Sequence, residues 1–247
     1  MIKIGVADYG LNCWDGALYD YSDRMAMLKS LGFSGIERLE ARTEAEVVET
    51  AAAARRLGMG FATCRGGTAA EAIKWSSALG YDYIWAESKS GELPVFCEQT
   101  RIQAEAAAEY GLKVSVHNHL GLAVESSEQL EEFLRQCPQC GLILDVGHLH
   151  AAGGDPLYII DKYADRISAV HIKDYVIKDP NGQYWWDRIR FCELSAGEMG
   201  GLNTEILKAL KNVGYCGWIF VEHDTHLRNP AEDLAVSMKF IEKAGVL

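Results

Sequence analysis

Apolar and polar residues follow each other along the chain in blocks of two lengths. Short apolar runs of strand length are separated by longer stretches that carry Ala, Leu, Glu and Lys at helical spacing. Strands that alternate with helices are typical of βαβ units around a parallel sheet. The predicted strands are residues 2–7, 35–39, 60–64, 81–86, 113–117, 141–145, 167–172 and 218–222. The predicted helices are residues 23–31, 43–57, 68–79, 95–110, 127–136, 156–163, 204–212 and 230–244.

Five of the predicted units are joined in the same way. A glycine follows Leu, Tyr or Val at the point where a helix ends and the chain turns into the next strand, at Gly32, Gly58, Gly80, Gly111 and Gly214. Glycine is favoured at this point because it readily ends a helix in the left-handed conformation. The recurrence of one junction predicts a repeating α/β fold.

The chain length sets the number of such units. Eight strands in 247 residues match a single (β/α)8 TIM barrel, which typically has about 250 residues. No linker rich in Pro, Gly or Ser divides the chain, so we expect one domain over residues 1–247. A strand-plus-helix unit spans about 30 residues, whereas 51 residues separate His171 from Glu222. Residues 175–203 are therefore predicted to form a long loop after strand seven, which is a candidate lid.

Polar residues close the last four predicted strands. These residues are His117, Asp145, His171 and Glu222. The C-terminal ends of the strands of such a barrel meet at one mouth, where active sites lie. Carboxylates and imidazoles together suit Mn²⁺, Co²⁺, Mg²⁺ or Zn²⁺, and the lack of a thiolate among them argues against a structural zinc site. The pattern predicts a metal-dependent enzyme.

Alternation along the strands selects further candidates for the mouth. His119 shares the face of His117, Lys173 that of His171, and Asp224 that of Glu222, while Gly147 would share the face of Asp145. The candidate catalytic residues are Glu222, Glu87, His148 and Lys173. The candidate substrate contacts are His119, Glu37, Asp174, Trp185 and Arg188.

Simpler interpretations of some of these residues stay open. His148 could cap the loop after Asp145, and Glu87 could pair with a nearby Lys or Arg. Trp185 and its neighbour Trp186 could form a hydrophobic plug, although long segments of this kind often close over a substrate. The Cys-Pro-Gln-Cys stretch at residues 137–140 has redox spacing, but it has no second pair of cysteines.

Composition narrows the classes of partner. The net charge is −11, from 24 Lys and Arg against 35 Asp and Glu, and no basic cluster stands out for nucleic acid. No uncharged apolar run reaches the roughly 18 residues needed to span a membrane, and no secretory signal is visible. Seven cysteines, an odd number, do not suggest a disulfide framework. We expect a cytoplasmic protein with a small-molecule substrate, no nucleic-acid partner and no membrane partner; a homo-oligomer stays open.

Four stretches of the sequence together resemble a known family. They are HNHLGLAVESSEQLEEFL, LILDVGHLHAAGGDP, ISAVHIKDY and GEMGGLNTEILKALKNVGYCGWIFVEHD. They resemble the xylose-isomerase-like TIM-barrel superfamily of sugar isomerases and epimerases, and residues 116–174 are most similar to its inosose (keto-inositol) dehydratases. The resemblance implies a divalent metal ion, with Mn²⁺ or Co²⁺ favoured and Mg²⁺ or Zn²⁺ as alternatives. The implied ligands are His117, Asp145, His171 and Glu222, although the choice between His117 and His119 stays open.

One position departs from the pattern of many epimerases in the superfamily. They carry a Glu where this chain has His117, and they use it opposite the last-strand Glu as a second acid/base group. Here only Glu222 remains of that pair, with Glu87 or His119 as substitutes. An imidazole at this place also occurs in the inosose-dehydratase-like branch.

The resemblance implies a function as well as a fold. The expected enzyme is of the isomerase/epimerase type and abstracts the proton α to the carbonyl of a keto-sugar or keto-inositol. Dehydration of a keto-inositol is a close alternative. An abasic-site endonuclease and a non-catalytic sugar-binding barrel are more remote alternatives.

Overall fold

Eight parallel strands form a nearly closed barrel. The structure, a computed structural model, describes residues 1–7, 9–13, 21–224, 226 and 228–245. The barrel strands neighbour one another in the order β3-β2-β1-β10-β7-β6-β5-β4, and β8 and β9 pair separately. The strands are β1 (Lys3–Ala7), β2 (Gly35–Glu40), β3 (Gly60–Arg65), β4 (Tyr83–Trp85), β5 (Lys113–His117), β6 (Gly141–Asp145), β7 (Ile167–Ile172), β8 (Asp174–Ile177), β9 (Ile189–Cys192) and β10 (Trp218–Glu222). The predicted (β/α)8 barrel is confirmed.

Helices connect the barrel strands. They are α1 (Tyr9–Cys13), α2 (Tyr21–Ser30), α3 (Glu44–Leu57), α4 (Ala69–Leu79), α5 (Leu93–Ala108), α6 (Ser127–Gln136), α7 (Val146–Ala151), α8 (Pro156–Tyr163), α9 (Trp185–Arg188), α10 (Gly200–Asn212) and α11 (Pro230–Lys243). All eight predicted helices are present, within a few residues at either end. The short helices α1, α7 and α9 were not predicted, because four to six residues are too few to show a helical period. Within the described ranges no helix is long and apolar enough to cross a bilayer.

Local hydrogen bonds fix where these helices begin and end. The Thr68 hydroxyl accepts a hydrogen bond from the Glu71 amide, and the Glu71 carboxylate accepts one from the Thr68 amide, which starts α4 with a capping box. Gly58 and Gly80 follow α3 and α4 with φ of 68° and 73°. This left-handed conformation is costly for other residues. The glycines that recur at the helix ends of the sequence therefore adopt the left-handed backbone conformation that was predicted for them.

Residues 175–203 differ from the long loop that the sequence predicts. β8 and β9 form an antiparallel hairpin in which Tyr175 lies opposite Phe191, and α9 lies between the two strands. Each strand has only four residues, so its stability depends on a partner that a local pattern does not reveal. The hairpin starts two residues after β7 and so begins at the barrel mouth.

The barrel interior has an apolar floor. Trp218 stacks on Phe220 with ring centroids 5.3 Å apart, and the Lys3 ammonium lies 5.1 Å from the centroid of Trp218. The remaining buried members of this inner cluster are Ala7, Ala62, Tyr83, Ile143 and Ala169. A second, larger apolar cluster includes residues of both strands and helices. The floor places the charged side chains at the opposite, C-terminal end of the barrel.

The glycine junctions give a first test. We expect Gly80→Ala to lower the free energy of unfolding by about 1–2 kcal/mol, because alanine pays that cost in the left-handed region. Gly91→Ala is the matched control: a methyl group at either position meets no atom within 4 Å, but Gly91 does not have a positive φ. The control should change the value by less than about 1 kcal/mol. Urea unfolding measures both, and equal losses would contradict the backbone explanation.

Candidate functional site

Four predicted ligands come together at the C-terminal end of the barrel. His117 Nε2 lies 3.3 Å from Asp145 Oδ2. His171 Nδ1 lies 2.7 Å from Glu222 Oε2 and 3.7 Å from Asp145 Oδ2. One donor atom of each residue lies within 4.8 Å of the others, and all but the half-buried His117 are buried. We call these four residues the mouth site.

Lys173 supplies a buried positive charge beside the mouth site. Its ammonium lies 3.1 Å from Asp145 Oδ2, 3.0 Å from Glu222 Oε2 and 3.0 Å from Asp224 Oδ2. Burial alone would lower the pKa of Lys173, but the three carboxylates outweigh it and raise the pKa above its usual value. Lys173 therefore stays charged and neutralises part of the acidic cluster.

Glu37 lies behind His171. His171 Nε2 is 3.0 Å from Glu37 Oε2, and Glu37 Oε1 accepts hydrogen bonds from the Tyr83 hydroxyl and from Trp85 Nε1. Glu37 is fully buried. The sequence suggested a substrate contact, but these three protein partners fit the carboxylate that typically orients a metal-binding histidine. His171 then presents Nδ1 to the mouth site.

The two carboxylate oxygens of Asp145 have different neighbours. Oδ1 accepts a hydrogen bond from the His148 amide and caps α7, while Oδ2 lies in the mouth site. Asn118 holds the same strand end, since its amide group bonds both the backbone N–H and the C=O of Asp145. Strand alternation predicted that Gly147 would share the face of Asp145, but β6 ends at Asp145 and Gly147 belongs to α7. A side-chain carbon at Gly147 would lie 2.6 Å from Lys173 Cβ, so glycine lets Lys173 approach.

A second polar group lies next to the mouth site. His119, His148 and Asp224 each offer one donor atom within 4.8 Å of the others. The two imidazole rings lie 3.6 Å apart, and His148 Nε2 is 3.8 Å from Asp224 Oδ2. His119 Nδ1 bonds the Leu120 carbonyl. His148 Nε2 is buried and has no hydrogen-bond partner among the described residues.

The hairpin covers this second group. The Trp185 ring centroid lies 5.7 Å from that of His119 and 5.6 Å from that of His148. Arg188, also predicted to bind substrate, is exposed and lines a small cavity of about 180 Å³ beside Trp185. The position of Trp185 beside both imidazoles fits the predicted lid. Its role there stays a prediction.

Two other predicted residues lie elsewhere. The Asp174 carboxylate accepts four backbone hydrogen bonds, and these anchor the hairpin and the segment that follows it; the donors are the amides of Tyr175, Ser195, Gly197 and Met199. Glu87 belongs to neither polar group of the mouth. It lines a neighbouring cavity of about 330 Å³ together with Arg65, Trp85 and Lys89. Burial raises its pKa, against the effect of Arg65 and Lys89.

The protonation states of the mouth-site residues favour the binding of a cation. Burial alone would raise the pKa of Asp145 and Glu222, but Lys173 and nearby imidazoles hold both well below their usual values. Burial lowers the pKa of His117 to about 4. Burial would also lower the pKa of His171, but Glu37 and Glu222 raise it to about 10. Two ionised carboxylates and two imidazoles are a donor set that fits a divalent metal ion.

Alternation marked Asp224, which shares its strand face with Glu222, but two other residues of this region were absent from the candidates that the sequence provided. Asn118 points to the opposite face from His117, so no mouth-directed pattern includes it. Tyr83 belongs to a buried strand and looks like an ordinary core residue in the sequence.

Comparison with known proteins extends these observations. A family model described as xylose isomerase-like TIM barrel matches residues 6–244 of the chain. The inosose dehydratase of Bacillus anthracis (strain CDC 684 / NRRL 3495) is 33% identical over 151 residues, which cover 57% of this chain and 51% of that protein. The chain thus spans about half the length of the curated relatives it matches. The resemblance inferred from the four sequence stretches is confirmed.

Solved structures share the architecture. The probable 3-DHS dehydratase AsbF from Bacillus anthracis is similar with a TM-score of 0.75 at 15% identity, over 97% of this chain and 98% of that one. The 3-keto-D-glucoside 4-epimerase YcjR from E. coli is similar with a TM-score of 0.72 at 14% identity, over 98% and 100% of the two chains. At such identities the likeness shows the fold alone.

The pKa of His171 predicts how metal affinity depends on pH. A metal ion bound at Nδ1 must displace the proton that His171 carries below about pH 10. No proton has to leave His117, whose pKa is about 4. We therefore expect about one proton released per Mn²⁺ bound, and an affinity that rises about tenfold per pH unit between about pH 6 and 9. Calorimetric titration in buffers of different ionisation enthalpy measures the release.

Glu37→Gln tests whether the raised pKa of His171 causes this pH dependence. It removes one of the two carboxylates that raise the pKa of His171, so the rise of affinity with pH should level off at a lower pH. Mn²⁺ binding without proton release in the unchanged protein would contradict the assignment of His171 as a ligand.

Proposed function

Because the chain belongs to the xylose isomerase-like TIM barrel family, we propose that it is a divalent-metal-dependent enzyme. It removes the proton next to the carbonyl group of a cyclic polyhydroxy ketone, of the keto-sugar or keto-inositol class. The observation that carries this proposal is the convergence of one ligand from each of the last four barrel strands beside the charged Lys173. A cation site next to a buried ammonium suits chemistry in which negative charge develops on oxygen.

His117, Asp145, His171 and Glu222 would hold the metal ion. Their mixed nitrogen and oxygen donors suit Mn²⁺, Co²⁺, Mg²⁺ or Zn²⁺, and the resemblance to the family favours Mn²⁺ or Co²⁺ among them. Such an ion polarises a carbonyl group and lowers the cost of removing the adjacent C–H proton. Glu37 keeps the ring of His171 in place through Nε2. The substrate itself would enter from the hairpin side.

Two residues of the chain take part in removing the C–H proton next to the carbonyl group. Glu222 has a carboxylate held ionised and is the base that takes the C–H proton. Lys173 has a pKa raised above its usual value, so it retains its proton and stabilises the developing negative charge as a fixed cation. This electrostatic role specifies the part of Lys173, which the sequence predicts only as a catalytic residue.

A third group assists the departure of a β-hydroxyl. His148 Nε2 has no hydrogen-bond partner in the described part of the chain and lies 3.8 Å from Asp224 Oδ2. Burial and Lys173 hold the pKa of His148 well below its usual value, so this imidazole is neutral. Burial raises the pKa of Asp224, while Lys173 partly opposes this change. We assign Asp224 as the donor of the proton with which the hydroxyl leaves as water, with the neutral His148 beside it. The C–H and C–O bonds break and a C=C bond forms, so the product is an unsaturated ketone.

Dehydration is the favoured outcome for this mouth. Epimerisation by two opposed carboxylates requires a second acid where this chain has His117, and Glu87 lies in a separate cavity. The matched relatives of the chain are named inosose dehydratase. Isomerisation or epimerisation is the second candidate, because the stacked His119 and His148 could return a proton from the other side of the substrate.

An assay can separate the two outcomes. The metal-loaded protein is incubated in D₂O with a panel of inososes and open-chain keto-sugars, and NMR follows the signals of the substrate. Loss of water with formation of an unsaturated ketone supports the dehydratase. Deuterium incorporation without loss of water supports the isomerase or epimerase. No exchange and no elimination on any member of the panel would contradict the proposed chemistry.

Two substitutions test the mouth site. Asp145→Ala should abolish tight Mn²⁺ binding and turnover, whereas Glu222→Gln, which removes basicity, should lower kcat/KM at least about 10³-fold. Circular dichroism checks that both variants keep their helices. Metal analysis and kinetics measure the effects. Full metal occupancy and turnover in Asp145→Ala would show that the ligands lie elsewhere.

Two neighbouring tryptophans test the lid. Trp185→Ala removes the ring beside His119 and His148, so it should raise KM or lower kcat by roughly tenfold. Trp186→Ala is the matched control, because Trp186 is 53% exposed and stacks on Tyr184. The control should leave both constants within about twofold. Equal effects of the two changes would show that the hairpin acts only through its general stability.

A further inference from the structure

A third cluster of donor atoms lies just beyond the end of β10. His223, His226 and Asp233 each offer one ligand atom, and these atoms lie within 4.8 Å of one another. His223 Nδ1 is 3.4 Å from His226 Nδ1, which is 3.1 Å from Asp233 Oδ2. His223 and Asp233 are buried, and His226 is half-buried. None of the three belongs to the mouth site.

The spacing of these atoms matches a tetrahedral ion. Ligands about 2.0–2.1 Å from a zinc ion are about 3.3 Å from one another when the geometry is tetrahedral. The two measured separations, 3.4 and 3.1 Å, lie on either side of that value. Two imidazole nitrogens and one carboxylate oxygen are also a donor set that zinc accepts, with a fourth position left for water. Both the chemistry and the geometry therefore fit Zn²⁺.

Neighbouring side chains orient the three donors. Ser237 Oγ lies 3.3 Å from His223 Nε2, on the side of the ring away from Nδ1. Arg228 Nε donates to Asp233 Oδ1 at 2.9 Å, which leaves Oδ2 for the histidines. Partners of this kind fix ring orientation and carboxylate direction around bound metals.

A purely hydrogen-bonded cluster is less complete. His226 Nδ1 has one hydrogen at most, yet it lies within 3.4 Å of both a nitrogen and a carboxylate oxygen. If that hydrogen goes to Asp233, His226 Nδ1 has no lone pair left to accept a hydrogen bond, so the facing Nδ1 of His223 cannot donate to it. A cation at the centre accepts a lone pair from all three atoms at once.

We propose that His223, His226 and Asp233 bind a second divalent cation, Zn²⁺ by donor set and spacing, that fastens the chain after β10 to α11. His223 directly follows Glu222, and alternation directs it away from the mouth. Asp233 lies in the first turn of α11. The ion would thus hold the strand end that carries Glu222 and Asp224 against the outer helix. The ion would lie outside the mouth site, and it takes no part in the proposed chemistry.

Zinc stoichiometry tests the proposal. The protein is saturated with Zn²⁺ and dialysed, and the zinc per chain is measured. We expect two ions per chain in the unchanged protein and one in both His226→Gln and Asp233→Asn. His150→Gln is the matched control, because within the residues that the structure describes His150 hydrogen-bonds the Tyr175 hydroxyl and belongs to no donor cluster. It should keep two ions.

Asp145→Ala distinguishes this proposal from the proposed function. It should also lose one ion, and its combination with His226→Gln should lose both. Two ions retained in Asp145→Ala would contradict the mouth assignment alone. Wild-type zinc content in His226→Gln and Asp233→Asn would overturn the second site.

A measurement on the unchanged protein tests the second site even if the variants fail to fold. In protein labelled with ¹⁵N-histidine, Zn²⁺ should shift the imidazole nitrogen signals of His223 and His226 as well as those of His117 and His171. Unchanged signals of the first pair at saturating Zn²⁺ would overturn the second site, whatever the variants show.

Discussion

The buried ammonium of Lys173 is the interaction on which the mouth depends. It lies about equally far from the carboxylates of Asp145, Glu222 and Asp224, at 3.0–3.1 Å. Ionised carboxylates in a protein interior are costly unless a cation and hydrogen bonds compensate them. Lys173 supplies that charge inside the barrel, and Gly147 makes the room that its side chain needs. Asp145 and Glu222 can therefore remain ionised although they are buried.

The rest of the barrel holds this charged cluster in place. Below it, stacked Trp218 and Phe220 form an apolar floor. Beside it, Asn118 ties the end of β5 to the end of β6 through two hydrogen bonds. Such supports matter because a site works only when its groups are held in place by neighbours that are themselves packed and hydrogen-bonded. Their contribution to function is through position, and none of them needs to touch a substrate.

The hairpin after β7 connects the mouth to its surroundings. Asp174 fixes the base of the hairpin with four backbone hydrogen bonds, and Trp185 lies beside the two stacked imidazoles. Phe191 adds an aromatic face 4.4 Å from the Lys173 ammonium. A short two-stranded hairpin is marginal on its own, so this one depends on the barrel that it covers.

The sequence by itself determined the barrel, its eight strands and the identity of the four mouth residues. These features follow from local rules: strand-length apolar runs, helical spacing, glycine at each junction, and a polar residue at the end of each of the last four strands. Only the tertiary structure decided where Glu37, Asp174 and Glu87 lie and what they contact, because burial and hydrogen-bond partners depend on contacts between residues far apart in the chain. Glu37 meets His171 across 134 residues, and Asp174 meets the backbone of a later turn. No local pattern reveals such pairs, because the two partners meet only when the barrel closes and brings distant parts of the chain together.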